Sequence, residues 1–221
     1  LNQIDIETNP IQSSEISISS VARQEVIAHI EKYFGKINNF LHDDSCSEYP
    51  LDIAVIAPRK EHNYYTLITV NMSNHEVLES DDIDGNTCHQ ELLINLPPDW
   101  KLGLSDWTEE KWCWPIRLIT SLARQCIRHR TCISWGKTME LGGDNTFSEG
   151  TKLCAIVLLS PSIFGDKSST CKTQGAGSVE FYQVIPLYRE ELQFIQDKDI
   201  DEFFEICPDD ALETINPLRL N

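Results

Sequence analysis

Positive charge is scarce in this chain: 18 lysines and arginines stand against 35 aspartates and glutamates, a formal net charge of −17 over 221 residues. Gripping nucleic acid directly takes a cationic footprint that neutralises phosphates, so direct binding of DNA or RNA is disfavoured. No apolar run approaches the length of about 18 residues that a membrane helix needs, so no membrane partner is expected. The opening LNQIDIETNP has neither a basic region nor an apolar core and does not read as a secretory signal. The patterns GxSxG, HExxH, GxGxxG and GxxxxGK[ST] do not occur, which removes the usual signatures of a nucleophile elbow, a zinc protease and phosphate-binding loops.

The eight cysteines, at 46, 88, 113, 126, 132, 154, 171 and 207, form no CxxC pair. A chain of this length buries a sizeable core without staples, so they are expected to be core thiols of a cytoplasmic protein. One cluster, Cys126-x-x-His129-x-x-Cys132, has metal-ligand residue types. A helix end running into a strand would aim the three side chains apart, so no metal and no cofactor is expected.

What is present is acid, unevenly placed. Residues 76–91 carry Glu76, Glu79, Asp81, Asp82, Asp84 and Glu91 with no lysine or arginine, and residues 190–213 carry ten acids against Lys198 alone. Such tracts keep a protein soluble and also steer basic partners towards it. All five tryptophans lie between Trp100 and Trp135, and they suit core packing first and a partner surface second.

Hydrophobic periodicity orders the rest. Residues 1–18 read as a polar tail and 19–221 as one domain. Ile27, Ile30, Phe34 and Ile37 predict a helix over about 19–36. The runs LDIAVIA (51–57) and YYTLITV (64–70), joined by a short charged turn, predict an antiparallel hairpin. Tyr64 and Tyr65 then fall on opposite faces of a strand, and an exposed ring there would anchor another chain. The acidic segment 42–50 and the connection 71–86 read as loops. A strand from Glu91 is stopped by Pro97-Pro98.

A helix is predicted after Pro115, with Ile116, Ile119, Leu122, Ala123 and Cys126 on its apolar face and Arg117, Arg124 and Arg128 off it. Thr131–Trp135 reads as a strand, 137–150 as a flexible loop, Leu153–Leu159 as a buried strand, and the segment to Ser178 as a loop. A strand over Val179–Ile185 is followed by a hinge at Pro186, then two acidic helices, the second reaching Ile206. About six strands and four helices, arranged as hairpins, predict an α+β fold: a mixed, mainly antiparallel sheet with helices packed on it.

The blocks HDDSCSEYPLDIAVIAPRKEHNYYTLITVNMS, ELLINLPPDW, WPIRLITSLAR, TCISWGKTM, TKLCAIVLLSP and VEFYQVIPLYREEL follow the order of the Suppressor of fused (Sufu) domain family. From about residue 27 to 219 the chain resembles that family, above all its bacterial single-domain members. The resemblance implies an α+β domain without enzymatic activity that binds another protein. Animal members look like paired lobes that clamp an extended peptide of a Hedgehog-pathway transcription factor as an added strand; this chain is similar to the first lobe only. Bacterial members are proposed to be immunity proteins of polymorphic toxin systems, and a basic toxin would suit the −17 charge.

By position, the resemblance carries over Tyr65 as an aromatic on the peptide-side strand, Glu76 to Asp84 as an acidic loop, and Glu91 as an acid before the next strand. Where bacterial relatives read Trp-Gly-His-Thr, this chain has Trp135-Gly136-Lys137-Thr138. The expected partner-binding residues are therefore Tyr64, Tyr65, Glu76, Glu79, Asp81, Asp82, Asp84 and Glu91, and the expected partner is a toxin domain with a basic surface. Two alternatives stand beside it: a regulatory scaffold taking a cellular peptide by strand addition, and a hydrolase using a metal on Asp43-Asp44 or Asp81-Asp82. His62 and His75 have no evident nucleophile to serve.

Overall fold

A parallel pair of long strands, Thr87–Leu96 and Gly177–Leu187, forms the middle of the molecule, with His89 opposite Val179 and Leu93 opposite Gln183. The computed structural model describes residues 2–6, 21–43, 46–78, 87–103, 106, 109–208 and 212–216. In chain order the elements are α1 (Val21–Tyr33), β1 (Asn39–Asp43), β2 (Leu51–Ile56), β3 (Tyr65–Val70), β4 (Val77–Leu78), β5 (Thr87–Leu96), α2 (Glu110–His129), β6 (Thr138–Glu140), β7 (Ala155–Leu159), β8 (Thr170–Thr173), β9 (Gly177–Leu187), α3 (Arg189–Asp197) and α4 (Ile200–Ile206). The strands run β1-β2-β3-β5-β9-β7-β6, with β4 on β5 and β8 on β9. Every strand pair but β5–β9 is antiparallel, so the mixed, mainly antiparallel α+β prediction holds.

Both faces of the sheet are covered, which is why β2 and β7 are nearly continuous apolar runs. On one face Ile53, Val55, Leu67, Leu92, Ile94, Ile156, Leu158 and Val184 bury Ile116, Ile119, Leu122, Ala123 and Cys126 of α2. The opposite face carries two separate patches. Ala54, Ile68, Val70, Leu93, Val179 and Phe181 receive Val26 and Ile30 of α1 and Phe34 just beyond its end. Ala155, Val157, Ile185 and Leu187 receive Leu192 of α3 and Phe203 of α4. Between those patches, above Gln183, no helix crosses the sheet among the described residues.

Helix α1 ends at Tyr33, three residues short of the predicted end, just before the glycine expected to stop it. Gly35 has φ +126°, and the Arg59 guanidinium, which donates to the Phe34 carbonyl, occupies the place a Cβ would take. Several other expectations are corrected. The segment 42–50 begins inside β1, because Asn39–Asp43 pairs along its whole length with β2. Helix α2 starts at Glu110, so Pro115 lies within it rather than in its first turn. The proline forfeits one backbone bond, offset by the apolar face the helix buries.

Thr131–Trp135 is not a strand; only Thr131 bridges, parallel to Leu78. The predicted loop 137–150 contains β6, and the loop before Ser178 contains β8. Pro186 lies inside β9 opposite Ile156. Pairing with β5 has stopped by then at Gln183, so β9 is bonded on one side and a missing N–H need break no ladder bond. Residues 2–6 of the expected tail dock on β6, with Ile4 buried in the α2 core. Lastly, Cys88 and Cys132 form a disulfide, where thiols were expected; the other six cysteines lie outside any disulfide.

Candidate functional site

The lower end of β3 holds a buried acid cluster. Val70 passes into Asn71, which takes a left-handed conformation (φ +88°) and turns the chain into a short 3-10 turn at Met72–Asn74. Asn71 Nδ2 donates to Asp52 Oδ2 at 3.1 Å, and Arg23 of α1 bonds both Asn71 Oδ1, at 3.0 Å, and the Asp52 carboxylate. His42 Nδ1 lies 2.6 Å from the other Asp52 oxygen.

One strand over, Glu91 accepts from Thr69 Oγ1 at 2.7 Å, Ser73 N at 3.0 Å and Ser73 Oγ at 2.6 Å. Burial pushes its carboxyl up to about 7 against the pull of those donors. Glu91 is 0% exposed, so the expectation that it meets a partner is corrected: it holds the 3-10 turn to the sheet. Tyr64 is also buried. Its hydroxyl lies 2.8 Å from His62 Nδ1, its ring meets Phe164 edge-on, and burial raises the phenol pKa.

Tyr65 lies on the opposite face, half-buried against the α2 core. The two rings do alternate across the strand, but with both faces covered neither is a free-standing anchor. Glu76 is exposed. Glu79, Asp81, Asp82 and Asp84 lie outside the described residues, and no described contact joins Glu76 to either tyrosine.

The metal-type residues do not converge. Cys132 is in the disulfide, Cys126 is buried with its thiol pushed up to about 12 by that burial, and His129 is exposed. Among the described residues no group of three His, Cys, Asp or Glu is placed to hold a metal. Asp43, one half of a proposed hydrolase pair, has its carboxylate on Arg124; Asp44, Asp81 and Asp82 lie outside the described residues. His75 packs edge-on to Tyr49, and burial lowers its pKa, as it does that of His62.

The open feature lies on the sheet face between α1 and α4. It is a groove of about 460 Å³ floored by Leu159, Gln183 and Ile185 and walled by Phe204, Cys207 and Ile163. Trp135, 46% exposed, and Ile163, 36% exposed, stand at its rim. Glu213 is the one acid in its lining, and α4, which contributes Phe204, also carries the exposed Asp201, Glu202 and Glu205 outside that lining. Residues 212–216 cross one end. Asn95 Nδ2 donates to the Glu213 carbonyl at 2.8 Å, Ile215 N donates back to the Asn95 carbonyl at 3.0 Å, and Gln183 Nε2 reaches the Leu212 carbonyl at 3.3 Å.

Asn95 Oδ1 is buried with no partner among the described residues. The acidic tract 190–213 pointed to this region. The groove itself had no sequence signal, because its floor comes from β7 and β9 and its walls from segments more than 40 residues apart.

These features define an α+β domain with an open groove on one face of its sheet. The family model described as Suppressor of fused protein (SUFU) matches residues 47–219, and the chain belongs to that family. It is 22% identical over 193 residues to the uncharacterized protein UU111 of Ureaplasma parvum, covering 85% of this chain and 90% of that one.

Among solved structures it is similar to a SUFU homologue from Neisseria gonorrhoeae, with a TM-score of 0.59 and 14% identity over 83% of this chain and 87% of that one. The Sufu–Fu complex gives a TM-score of 0.57 with 17% identity over 83% and 82% of the respective chains. Drosophila Suppressor of Fused gives 0.56 with 15% identity; 84% of this chain covers 46% of that one.

Proposed function

We propose that this chain is a non-enzymatic binding domain that seats a basic protein over the groove between Ile163 and α4, and that the partner is a toxin domain which the complex neutralises. The observation that carries the reading is the conjunction of an exposed apolar rim, Trp135 and Ile163, with the exposed acids Asp201, Glu202 and Glu205 on α4, the helix that supplies Phe204 to the groove. Large aromatics at the centre of a contact supply most of its affinity, while surrounding charge sets the encounter rate.

Family membership supports a protein partner, since a homologous fold has been solved as the Sufu–Fu complex. The net charge of −17 supports a basic one; the cytoplasmic setting stays part of the proposal against the Cys88–Cys132 disulfide, a bond that reducing compartments seldom retain. The acidic stretch Glu76 to Asp84, with Tyr65 nearby in sequence, is a second candidate contact.

The test is co-expression with the products of neighbouring genes. A growth-arresting product whose toxicity is relieved, and which co-elutes with this protein, supports the reading. Trp135→Ala should then weaken the complex by about 2 kcal/mol; an unchanged affinity removes the groove from the interface. If no neighbouring product is toxic or binds, the toxin assignment is lost. A regulatory scaffold that adds a cellular peptide as a strand is the second reading, favoured by β1, whose outer edge carries no strand among the described residues.

A further inference from the structure

Residues 2–6 are held like a ligand. Ile4 N donates to the Glu140 carbonyl at 2.9 Å and Glu140 N donates to the Asn2 carbonyl at 3.3 Å, a parallel pairing on the outer edge of β6. The opposite edge of the same segment is met by a single side chain. Gln125 Nε2 donates to the Gln3 carbonyl at 2.7 Å, and Gln125 Oε1 accepts from Asp5 N at 3.5 Å.

A side-chain amide carries N–H donors and a carbonyl acceptor on one planar group, so a single glutamine can meet both a carbonyl and an N–H on one edge of an extended segment. Gln125, itself 4% exposed on α2, therefore stands in for a strand. Ile4 fills the α2 core and is 3% exposed, Ile6 packs partly against that core, and Lys137 Nζ donates to Asn2 Oδ1 at 3.0 Å. Gly142 leaves room for the Gln3 side chain, which lies where a Cβ would sit. Such a cradle reads backbone on both edges and one aliphatic side chain, which is how extended peptides are recognised at sheet edges.

We propose that the β6 edge and Gln125 form a strand-accepting site of their own, specific for an extended segment with an aliphatic residue in the Ile4 place, and that residues 2–6 keep it closed in cis. A partner presenting such a segment binds by displacing this arm. The site is independent of the groove, since it requires no basic surface on the partner.

The probe is a fluorescein-labelled peptide of sequence LNQIDIE, titrated by polarisation into the full chain, into Ile4→Asp and into Ile4→Asp/Gln125→Leu. The resident arm competes in the native chain, so Ile4→Asp should bind the peptide at least ten-fold more tightly, and the added Gln125→Leu should abolish that gain. Hydrogen exchange separates arm release from unfolding: in Ile4→Asp the Glu140 amide should exchange faster while the β7 amides keep their protection. Equal binding by the native chain and Ile4→Asp, binding by neither, or β7 amides that open together with Glu140 would each overturn the proposal.

Discussion

Arg124 Nη1 of α2 lies 3.0 Å from Asp43 Oδ2 of β1, and both side chains are 1% exposed. The same guanidinium donates to the Asp43 carbonyl at 3.0 Å and to the Tyr49 carbonyl at 3.2 Å. A buried ion pair is weak as a net source of stability, but losing one partner leaves the other charged and dry. Arg124→Ala and Asp43→Ala should each cost about 3–5 kcal/mol in urea unfolding, while Arg124→Met/Asp43→Leu should recover much of that loss. Equal losses in single and double variants would show that the cost is packing rather than charge.

Glu91 makes stability depend on pH. Its folded-state pKa, raised by burial from 4.5 to about 7, exceeds the unfolded value, so the folded state holds the proton more tightly. The resulting contribution is complete below about 4.5 and is lost as pH rises through about 7, on the order of 3 kcal/mol in all. Glu91→Gln keeps a neutral side chain at every pH. Over pH 5–8 it should flatten the fall in unfolding free energy seen for the native chain; parallel curves would contradict this role.

The disulfide Cys88–Cys132 ties the start of β5 to the segment after α2 across a sequence separation of 44. Cross-linking restricts the unfolded chain, with typical gains of about 2–4 kcal/mol. Unfolding with and without dithiothreitol should differ by that amount, and Cys88→Ser/Cys132→Ser should be insensitive to the reductant. In the native protein Cys46 and Cys207, the two partly exposed thiols, should react with a thiol reagent before Cys113, Cys126, Cys154 and Cys171.

The two acidic tracts are separable by kinetics. Neutralising Asp201, Glu202 and Glu205 as amides should slow association with a basic partner about ten-fold at low salt and flatten its salt dependence. Each is exposed, so stability should move by about 0.5 kcal/mol or less per site. Neutralising Glu76, Glu79, Asp81, Asp82 and Asp84 instead tests the other surface. Whichever set leaves the on-rate unchanged lies away from the partner.

The hairpin β2–β3, helix α1, strand β7 and helix α4 were legible because each announces itself locally, through period, breaker residues or an unbroken apolar run. The family was legible in ordered blocks spread along the chain. The site was legible only as charge: the tract 190–213 pointed towards α4 and Glu213 beside the groove, whereas Gln183, Trp135 and Ile163 meet there only after β7 and β9 pair. Tyr64 and Tyr65 alternate as a strand requires, yet alternation cannot reveal that helices cover both faces.

By itself, then, the sequence determined the class of the fold, most of its long elements, the family and the sign of the surface. Tertiary structure alone decided that β1, β6 and β8 are strands, that Arg124 and Glu91 lie inside, that Cys88 meets Cys132, and that residues 2–6 close an edge. The reason is range. Periodicity and breaker residues act within a few positions along the chain. Burial of a charge, or the strand character of a three-residue segment, is set by what arrives from a hundred residues away.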